Sequence, residues 1–583
     1  MRQKQLFTTV LACMAFCACT NDESLVPDNP KTFTGDEAYM SVKLADVGSV
    51  GTRGSSGNPD FEYGVNEHAV KTAHFYFYDS NKAYVAQGSA WSGGTESTAD
   101  PAENIEFRGN TVVVLKGLTQ KNYPKYMITV LNRPANFTPG QTLSEMEQKL
   151  SDEAGVGIMT TESETNYFTM STTSYKHTDN TPYFVTEVKD ENFSLEPINL
   201  DDANLNPVTV YVERLAAKVS LKVNDDLTNK VTVGEETLYK LPVTLAGEDN
   251  IEDNDDIAAT DIYVKFLGWK LNATAKHSKM MKNIDETWEN NFGTAGFAWN
   301  DATNFRSYWG KSFNYGDATC TYNGTTDATE PLAYTNLNGT LNVVPGFDYC
   351  AENTNTSEIV SANFPAAVTS VLLKAQICNE NGTSLGVLIR YNGMLFTEVG
   401  FLKYVLNQQK ALGQLNYYTK TVEDDAVTYT QINETFVKLE NVGNGEVKVI
   451  FEKPTPADKI YSTNDGTDTE VTDFTTLNNN LATASDGAVG FADGMMYYNI
   501  PIEHLNNDAV TETDSKKTIP EAKYGVVRNH HYVVSITKLD NLGNGIFAPD
   551  EVIVPDEKDQ TKYYVGAKIN ILSWKLVNQN VEL

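Results

Sequence analysis

The chain has 583 residues, and its 45 Lys and Arg residues against 77 Asp and Glu residues give a formal net charge of −32. Such a charge argues against binding to nucleic acid or to anionic lipid, because both depend on clustered cations. Tyr and Phe dominate the aromatic residues and Gly is frequent, a composition typical of an all-β protein with few short helices. At about 100–200 residues per domain, the length predicts two or three domains.

The first residues resemble an export signal. Arg2 and Lys4 precede an apolar stretch at residues 6–16. This stretch is shorter than the about 20 residues of a membrane-spanning helix, but it suits the core of a signal peptide. Ala18 directly before Cys19 resembles a bacterial lipobox, so we expect Cys19 to become a lipidated first residue. Plain secretory cleavage near Ala18 is the alternative.

The first predicted strand follows, and it has one apolar face. That face consists of Ala38, Met40, Val42 and Leu44, whose period of two is the pattern of a half-buried strand. A Gly- and Ser-rich linker at residues 48–59 contains one cation, Arg53. Such a linker is accessible to a trypsin-like protease, so the strand is predicted to be removable.

Further strands dominate the rest of the chain. They are predicted at residues 73–78, 111–116, 126–132, 208–212, 217–223, 262–267, 370–377, 387–391, 437–440, 446–451, 496–502 and 531–537. Helices are predicted from Thr142 to about Leu150, opened by a capping box, and from Glu398 to Leu412, stopped by Gly413. Many strands with few helices predict a β-sandwich architecture.

Motifs for catalysis, metals and cofactors are missing from the sequence, so we predict neither an enzyme nor a cofactor. His530 and His531 are adjacent, but neighbouring strand residues point to opposite faces and cannot share one metal ion. Residues 540–551 match a calcium loop in part, yet Leu542 occupies a ligand position, which favours a turn.

Three cysteines besides Cys19 remain after the signal: Cys320, Cys350 and Cys378. Their spacing fits neither a zinc site nor a disulfide framework. We expect buried thiols, and a single disulfide among them is the alternative.

The last 21 residues, 563–583, form a second unusual segment. Its apolar residues include Val565, Ala567, Ile569, Ile571, Trp574, Leu576, Val581 and Leu583. At about 3.3 Å per residue it could reach roughly 70 Å, much longer than an ordinary strand. A free apolar strand is an aggregation hazard unless it pairs with a specific partner strand. A removable strand leaves an apolar groove that such a segment can fill, which is strand addition between subunits.

Several segments together carry a family resemblance. They are the lipobox at Cys19, residues 38–44, Arg53 followed by residues 58–63, and residues 210–219, 496–498, 524–532, 572–575 and 581–583. In this order they resemble the Bacteroidales fimbrillins (type V pilins), and among these the shaft subunits of Mfa-type minor fimbriae.

The resemblance implies an organisation for the whole chain. It implies two tandem transthyretin-like β-sandwich domains, export as an outer-membrane lipoprotein, and cleavage by an Arg-specific surface protease between Arg53 and Gly54. The expected parts are a signal peptide (1–18), a propeptide with the removable strand (19–53), an N-terminal β-sandwich (54–205) and a C-terminal β-sandwich (206–583) that ends in the donor strand (563–583).

The leading functional hypothesis is a structural shaft subunit of a cell-surface fimbria. It would polymerise by donor-strand exchange and support adhesion and biofilm formation. Its expected partners are other copies of itself, accessory and tip subunits, and host or bacterial surfaces, but not nucleic acid. A chain with both a removable and a donor strand can propagate, which favours a shaft over a tip or accessory subunit. A surface glycan-binding lipoprotein is the alternative from another class.

Overall fold

A computed structural model describes part of the chain in detail. The described residues are 37–47, 67, 69–89, 96–97, 105–116, 124–133, 137–152, 158–162, 165–172, 175–176, 182–183, 185–194, 197, 206–243, 245–246, 261–283, 309–317, 331–462, 469–504, 511–513, 516–555 and 575–582. The expectation of an all-β protein with few short helices is confirmed.

The strands before residue 215 are β1 Glu37–Val47, β2 Ala73–Tyr78, β3 Tyr84–Ser89, β4 Glu96–Ser97, β5 Ile105–Lys116, β6 Tyr126–Leu131, β7 Met159–Glu162, β8 Thr165–Phe168, β9 Met170–Thr172, β10 Tyr175–Lys176, β11 Pro182–Tyr183, β12 Thr186–Glu187, β13 Phe193–Ser194 and β14 Val208–Arg214.

The strands after residue 215 are β15 Ala216–Val223, β16 Lys230–Val233, β17 Glu236–Leu241, β18 Leu245–Ala246, β19 Ile262–Asn272, β20 Thr274–Ala275, β21 Leu332–Ala333, β22 Gly346–Ala351, β23 Ser370–Cys378, β24 Leu388–Tyr391, β25 Met394–Thr397, β26 Tyr418–Glu423, β27 Ala426–Gln431, β28 Val437–Gly443, β29 Glu446–Phe451, β30 Ile460–Tyr461, β31 Glu470–Val471, β32 Ala488–Phe491, β33 Met495–Pro501, β34 Thr511–Thr513, β35 Lys516–Thr518, β36 His530–Lys538, β37 Asn544–Gly545 and β38 Lys575–Glu582.

The α-helices of the described residues are short. They are α1 Leu143–Asp152, α2 Ser357–Asn363, α3 Glu398–Ala411 and α4 Thr475–Ala484. Both predicted helices are confirmed. The hydroxyl of Thr142 accepts a hydrogen bond from the backbone N–H of Glu145 at 3.2 Å, and the chain leaves α3 through Gly413, whose φ of 70° lies in the left-handed region. None of the helices in the described part of the chain has the length and apolar content needed to cross a membrane.

Ten of the strands before residue 215 form one sheet, whereas β7 with β8 and β10 with β11 form two separate pairs. The main order of the ten-stranded sheet is β3-β2-β6-β9-β14-β1-β5-β4, with β12 beside β6 and β13 beside β1. Alternate residues of β2 pack into two different clusters. Phe75 and Phe77 belong to the cluster that holds β1, whereas Tyr76 and Tyr78 pack with Leu143 and Met146 of α1. The sheet is therefore covered on both faces.

The strands after residue 215 contribute to several smaller sheets. A four-stranded sheet, β22-β15-β36-β38, and a six-stranded sheet, β16-β17-β19-β23-β33-β37, contribute most of the largest apolar cluster among the described residues. A second six-stranded sheet, β18-β25-β24-β32-β29-β28, is packed against α3 and α4. The chain passes from the ten-stranded to the four-stranded sheet at the buried residue Leu215. The division into tandem domains at residues 205 and 206 stays a prediction.

Candidate functional site

The predicted removable strand is an interior strand of the ten-stranded sheet. β1 pairs antiparallel with β5, where Met40 lies opposite Val113, and parallel with β14, where Val42 lies opposite Val208. A strand with neighbours on both sides holds two ladders of hydrogen bonds. Its loss would therefore open a gap inside the sheet, between β5 and β14, and would not merely remove an edge strand. This gap is called the slot below.

The apolar face of β1 points into the core. Ala38, Met40 and Val42 are at most 1% exposed and belong to the cluster that contains Phe75 and Met127. Leu44 also lies in β1, with its Cα opposite Gly109 and Val210, but its side chain lies outside the described residues. The period-two pattern in the sequence thus marks a buried face, because successive strand residues point to opposite sides.

The energetics of the slot define what can occupy it. Full burial of a Met or Val side chain stabilises by about 1.5–3 kcal/mol, and each ladder hydrogen bond contributes a net of about 0.5–1.5 kcal/mol. An empty slot would leave the facing backbone groups of β5 and β14 without partners, which is costly when they are shielded from water. The slot is therefore suited to another extended segment with alternating apolar side chains.

The C-terminal strand β38 occupies a different sheet. It pairs parallel with β36, with Leu576 opposite His531 and Val581 opposite Ile536. In the sheet order β38 is terminal and has one neighbour, so its release breaks one ladder where the release of β1 breaks two. Within the described residues, the C-terminal strand is bound to its own chain.

Several predicted site residues lie outside the described residues. They are Cys19, Arg53, Gly54, Val565, Ala567, Ile569, Ile571, Trp574 and Leu583. Leu576 and Val581 are described by their backbone pairing in β38 alone.

A buried ion pair that the sequence analysis missed links the segment ahead of β2 to β15. The Lys218 ammonium is 2.6 Å from the Glu67 carboxylate, which also accepts a hydrogen bond from the Tyr349 hydroxyl. Arg214 Nε donates to the backbone carbonyl of Glu67 at 3.0 Å, and its Nη1 donates to the Asn529 side chain at 3.0 Å. Burial opposes ionisation of Glu67, but the charge of Lys218, the hydrogen bonds from Lys218 and Tyr349 and the charge of Arg214 together outweigh it and hold the pKa of this carboxyl below its usual value.

A second buried pair lies beyond Leu215. Arg528 Nη2 is 3.2 Å from the Glu352 carboxylate and donates to the Lys279 carbonyl at 2.8 Å. Burial again opposes ionisation, yet Arg528 and Lys282 together keep the pKa of Glu352 below its usual value. For the first pair, the available sequence signal was the set of charges, including Arg214 and Lys218, within the otherwise apolar segment 208–223.

The adjacent histidines are structural. His531 Nε2 lies 2.5 Å from Ser220 Oγ, and His530 Nδ1 lies 2.7 Å from the Arg528 carbonyl. Burial, with a smaller effect of Lys218, lowers the pKa of His531 to about 3. Among the described residues, no group of three or more His, Cys, Asp and Glu side chains is arranged to hold a metal ion.

The tryptophans bear on the glycan-binding alternative. Trp269 and Trp309 are buried, and Trp269 Nε1 donates to the Val343 carbonyl at 2.9 Å. Neither ring is therefore exposed for stacking on a sugar. Trp288 and Trp299 lie outside the described residues.

Comparison with known proteins relates the C-terminal region of the chain to a family. Residues 490–580 match the family model described as "Major fimbrial subunit protein type IV, Fimbrillin, C-terminal". The matched region reaches from the end of β32 into β38. The match confirms the resemblance to fimbrillins and supports a fimbrial subunit at the cell surface. A comparison with curated proteins gave no match.

Two solved structures illustrate the structural comparison. A fimbrial assembly protein from Parabacteroides distasonis is 14% identical over 58% of this chain and 83% of its own, with a TM-score of 0.26. The tip fimbrial protein Mfa3 from Porphyromonas gingivalis, with a C-terminal truncation, is 14% identical over 67% of this chain and 99% of its own, with a TM-score of 0.24.

Proposed function

We propose that this chain, whose residues 490–580 match the fimbrillin C-terminal model, is a shaft subunit of a cell-surface fimbria that polymerises by donor-strand exchange. The observation that carries the proposal is the place of β1 between β5 and β14. Cleavage between Arg53 and Gly54 severs β1 from the rest of the chain and allows it to leave its slot. Residues 563–583 of another copy then fill that slot.

The two exchanged segments have matching apolar patterns. β1 presents Ala38, Met40, Val42 and Leu44 at alternate positions. The C-terminal segment presents Val565, Ala567, Ile569 and Ile571 with the same period. Each set spans seven residues, or about 20 Å of extended chain. The incoming segment can therefore replace apolar contacts and ladder hydrogen bonds that the departing strand loses.

Export precedes exchange in this proposal. The chain reaches the outer membrane as a lipoprotein with the lipid on Cys19, and an Arg-specific surface protease releases residues 19–53 together with the lipid. Accessory and tip subunits join the polymer, and the fimbria supports adhesion and biofilm formation. The fibre carries a large negative charge, which keeps neighbouring polymers apart.

Assembly in solution tests the proposal. The purified full-length chain is incubated with an Arg-specific protease, and its products are analysed by N-terminal sequencing and by electrophoresis in SDS without heating. We expect a new N-terminus at Gly54 and a ladder of oligomers.

Two variants separate the cleavage step from the exchange step. Arg53→Ala should remain uncut and monomeric, whereas deletion of the whole donor segment, residues 563–583, should give a cut, folded chain without a ladder. A ladder of undiminished strength from the deletion variant would contradict the donor assignment. A surface-extracted protein that keeps lipidated Cys19 and binds polysaccharide without laddering would favour the glycan-binding lipoprotein.

A further inference from the structure

The connection between β1 and β2 contains two sites for a protease that cuts after cations. Between residues 48 and 72, the Lys and Arg residues are Arg53 and Lys71. A cut after either one would separate β1 from β2. Only a cut after Lys71 would also detach Glu67, and the buried ammonium of Lys218 would lose its carboxylate. For a maturing protease that accepts Lys as well as Arg, the choice between the two sites therefore decides whether this ion pair is kept; the inference rests on the proposed function.

Asn132 holds the backbone at Lys71 with its entire side-chain amide. Its Oδ1 accepts hydrogen bonds from the N–H groups of Lys71 at 2.7 Å and Thr72 at 3.2 Å. Its Nδ2 donates to the carbonyls of Ala69 and Phe168, both at 2.8 Å. A carboxamide has two donor hydrogens and two acceptor positions, so its hydrogen-bonding capacity is fully used.

The backbone of Asn132 adds to this arrangement. Its N–H donates to the Thr72 carbonyl at 2.8 Å, and its φ of 50° is in the left-handed region. Asn tolerates this conformation better than most residues because its short polar side chain bonds locally. Ahead of this point, Glu67 is tied to Lys218 and Arg214. The chain is thus fastened on both sides of residue 69.

The side chain of Lys71 is a less important restraint. Its Nζ lies 2.5 Å from Glu162 and 5.7 Å from the centre of the Tyr167 ring. Both charged side chains are about half exposed, and an exposed ion pair contributes little to stability. The restraint on this segment comes from its backbone.

We propose that Asn132 and Glu67 form a clamp that blocks proteolysis after Lys71 and so confines cleavage of the β1–β2 connection to the Arg53 side. A protease binds its substrate as an extended segment, and the backbone groups of that segment must be free. Those of Lys71 and Thr72 are engaged, so cleavage there requires local opening first. The clamp protects the ion pair of Glu67 while β1 is removed.

Trypsin is a suitable probe because it cuts after both Arg and Lys. The full-length chain is digested over time, and the cleavage sites are identified by N-terminal sequencing and intact mass. We expect cleavage after Arg53 to be much faster than cleavage after Lys71 in the native protein. Asn132→Gly keeps the left-handed backbone accessible but removes the amide, and cleavage after Lys71 should accelerate about tenfold or more.

A matched control is available at another left-handed asparagine. Asn444, with φ of 53°, lies in the turn between β28 and β29, and Asn444→Gly should leave the cleavage pattern at residues 53 and 71 unchanged. Equal rates of cleavage after Lys71 in the native chain and Asn132→Gly would overturn the clamp.

Hydrogen exchange tests the same point without a substitution. The backbone amides of Lys71 and Thr72 should be protected from exchange in the native chain. Exchange of these amides at the rate of an unstructured peptide would overturn the clamp. This measurement remains valid even if Asn132→Gly fails to fold. Absence of cleavage after Arg53 would instead count against the proposed function, because the clamp is measured at Lys71.

Discussion

The carboxylate of Glu67 lies 2.6 Å from the ammonium group of Lys218, and both side chains are at most 2% exposed. The two residues are 151 positions apart in the chain. Their contact links the segment ahead of β2 to β15, which belongs to the four-stranded sheet. A charge pair this deeply buried is costly to break because either partner alone would be an uncompensated charge.

Glu67→Gln should therefore lower the free energy of unfolding by about 3–5 kcal/mol, as measured by urea denaturation. The added substitution Lys218→Met should recover part of that loss, because it removes the isolated ammonium. Lys438 and Glu452 provide the control, since they are also 2.6 Å apart but about half exposed. Lys438→Met should cost less than about 1 kcal/mol. Equal losses from the buried and the exposed pair would contradict this account.

His531 should make the protein sensitive to mild acid. The pKa of His531 falls from 6.5 to about 3 because of burial and the nearby Lys218. The unfolded chain then binds a proton between these values that the folded chain does not, so stability is complete above about pH 6.5 and is lost as the pH falls. At pH 5 this titration lowers the free energy of unfolding by about 2 kcal/mol relative to neutral pH.

In the variant His531→Gln, the free energy of unfolding should fall less steeply between pH 7 and pH 5 than in the native chain. The slope should not vanish, because burial and the charge of Arg133 also lower the pKa of His74, to about 4. His74→Gln is the matched variant and should flatten the same window independently. An unchanged slope in His531→Gln would show that this residue titrates normally.

Met40 and Met127 distinguish the removable strand from the permanent core. Both side chains are fully buried in the same cluster. Met40→Ala should destabilise the uncut chain by about 2–5 kcal/mol, but it should not affect the protein once residues 1–53 are removed. Met127→Ala should destabilise both forms, and urea denaturation before and after proteolysis provides the comparison. Persistence of the Met40→Ala effect after proteolysis would mean that β1 remains in its slot.

The buried thiols should resist alkylation. Cys350 and Cys378 are free and buried; burial raises the pKa of Cys350, and it raises that of Cys378 to about 11. Since the thiolate is the reactive form, iodoacetamide at pH 8 should label neither residue in the native chain and both in urea. Rapid labelling of Cys350 in the native protein, read by peptide mass spectrometry, would contradict its buried position.

Local patterns accounted for individual elements. The alternation from Ala38 to Leu44 predicted a one-faced strand, and the structure places β1 there with Met40 in the core. The hydroxyl of Thr142 and the left-handed Gly413 marked helix ends that the structure confirms. Such signals are readable because strand alternation and helix capping depend on neighbouring residues.

The partners of these elements required the tertiary structure. No local pattern indicates that β1 pairs with β5 on one side and with β14 on the other. β14 follows β1 by about 165 residues in the chain. The same holds for Glu67 with Lys218 and for Asn132 with Lys71, where polar residues of ordinary appearance meet across long sequence separations.

The sequence by itself therefore determined that a strand with one apolar face precedes a linker with Arg53, and that the chain ends in a segment of similar apolar period. Only the tertiary structure decided that this strand is interior to its sheet and that the chain ahead of β2 is clamped. The physical reason is that apolar periodicity encodes which face of a strand is buried. The choice of neighbouring strand depends on long-range packing and on the pairing of backbone groups that are distant in the sequence.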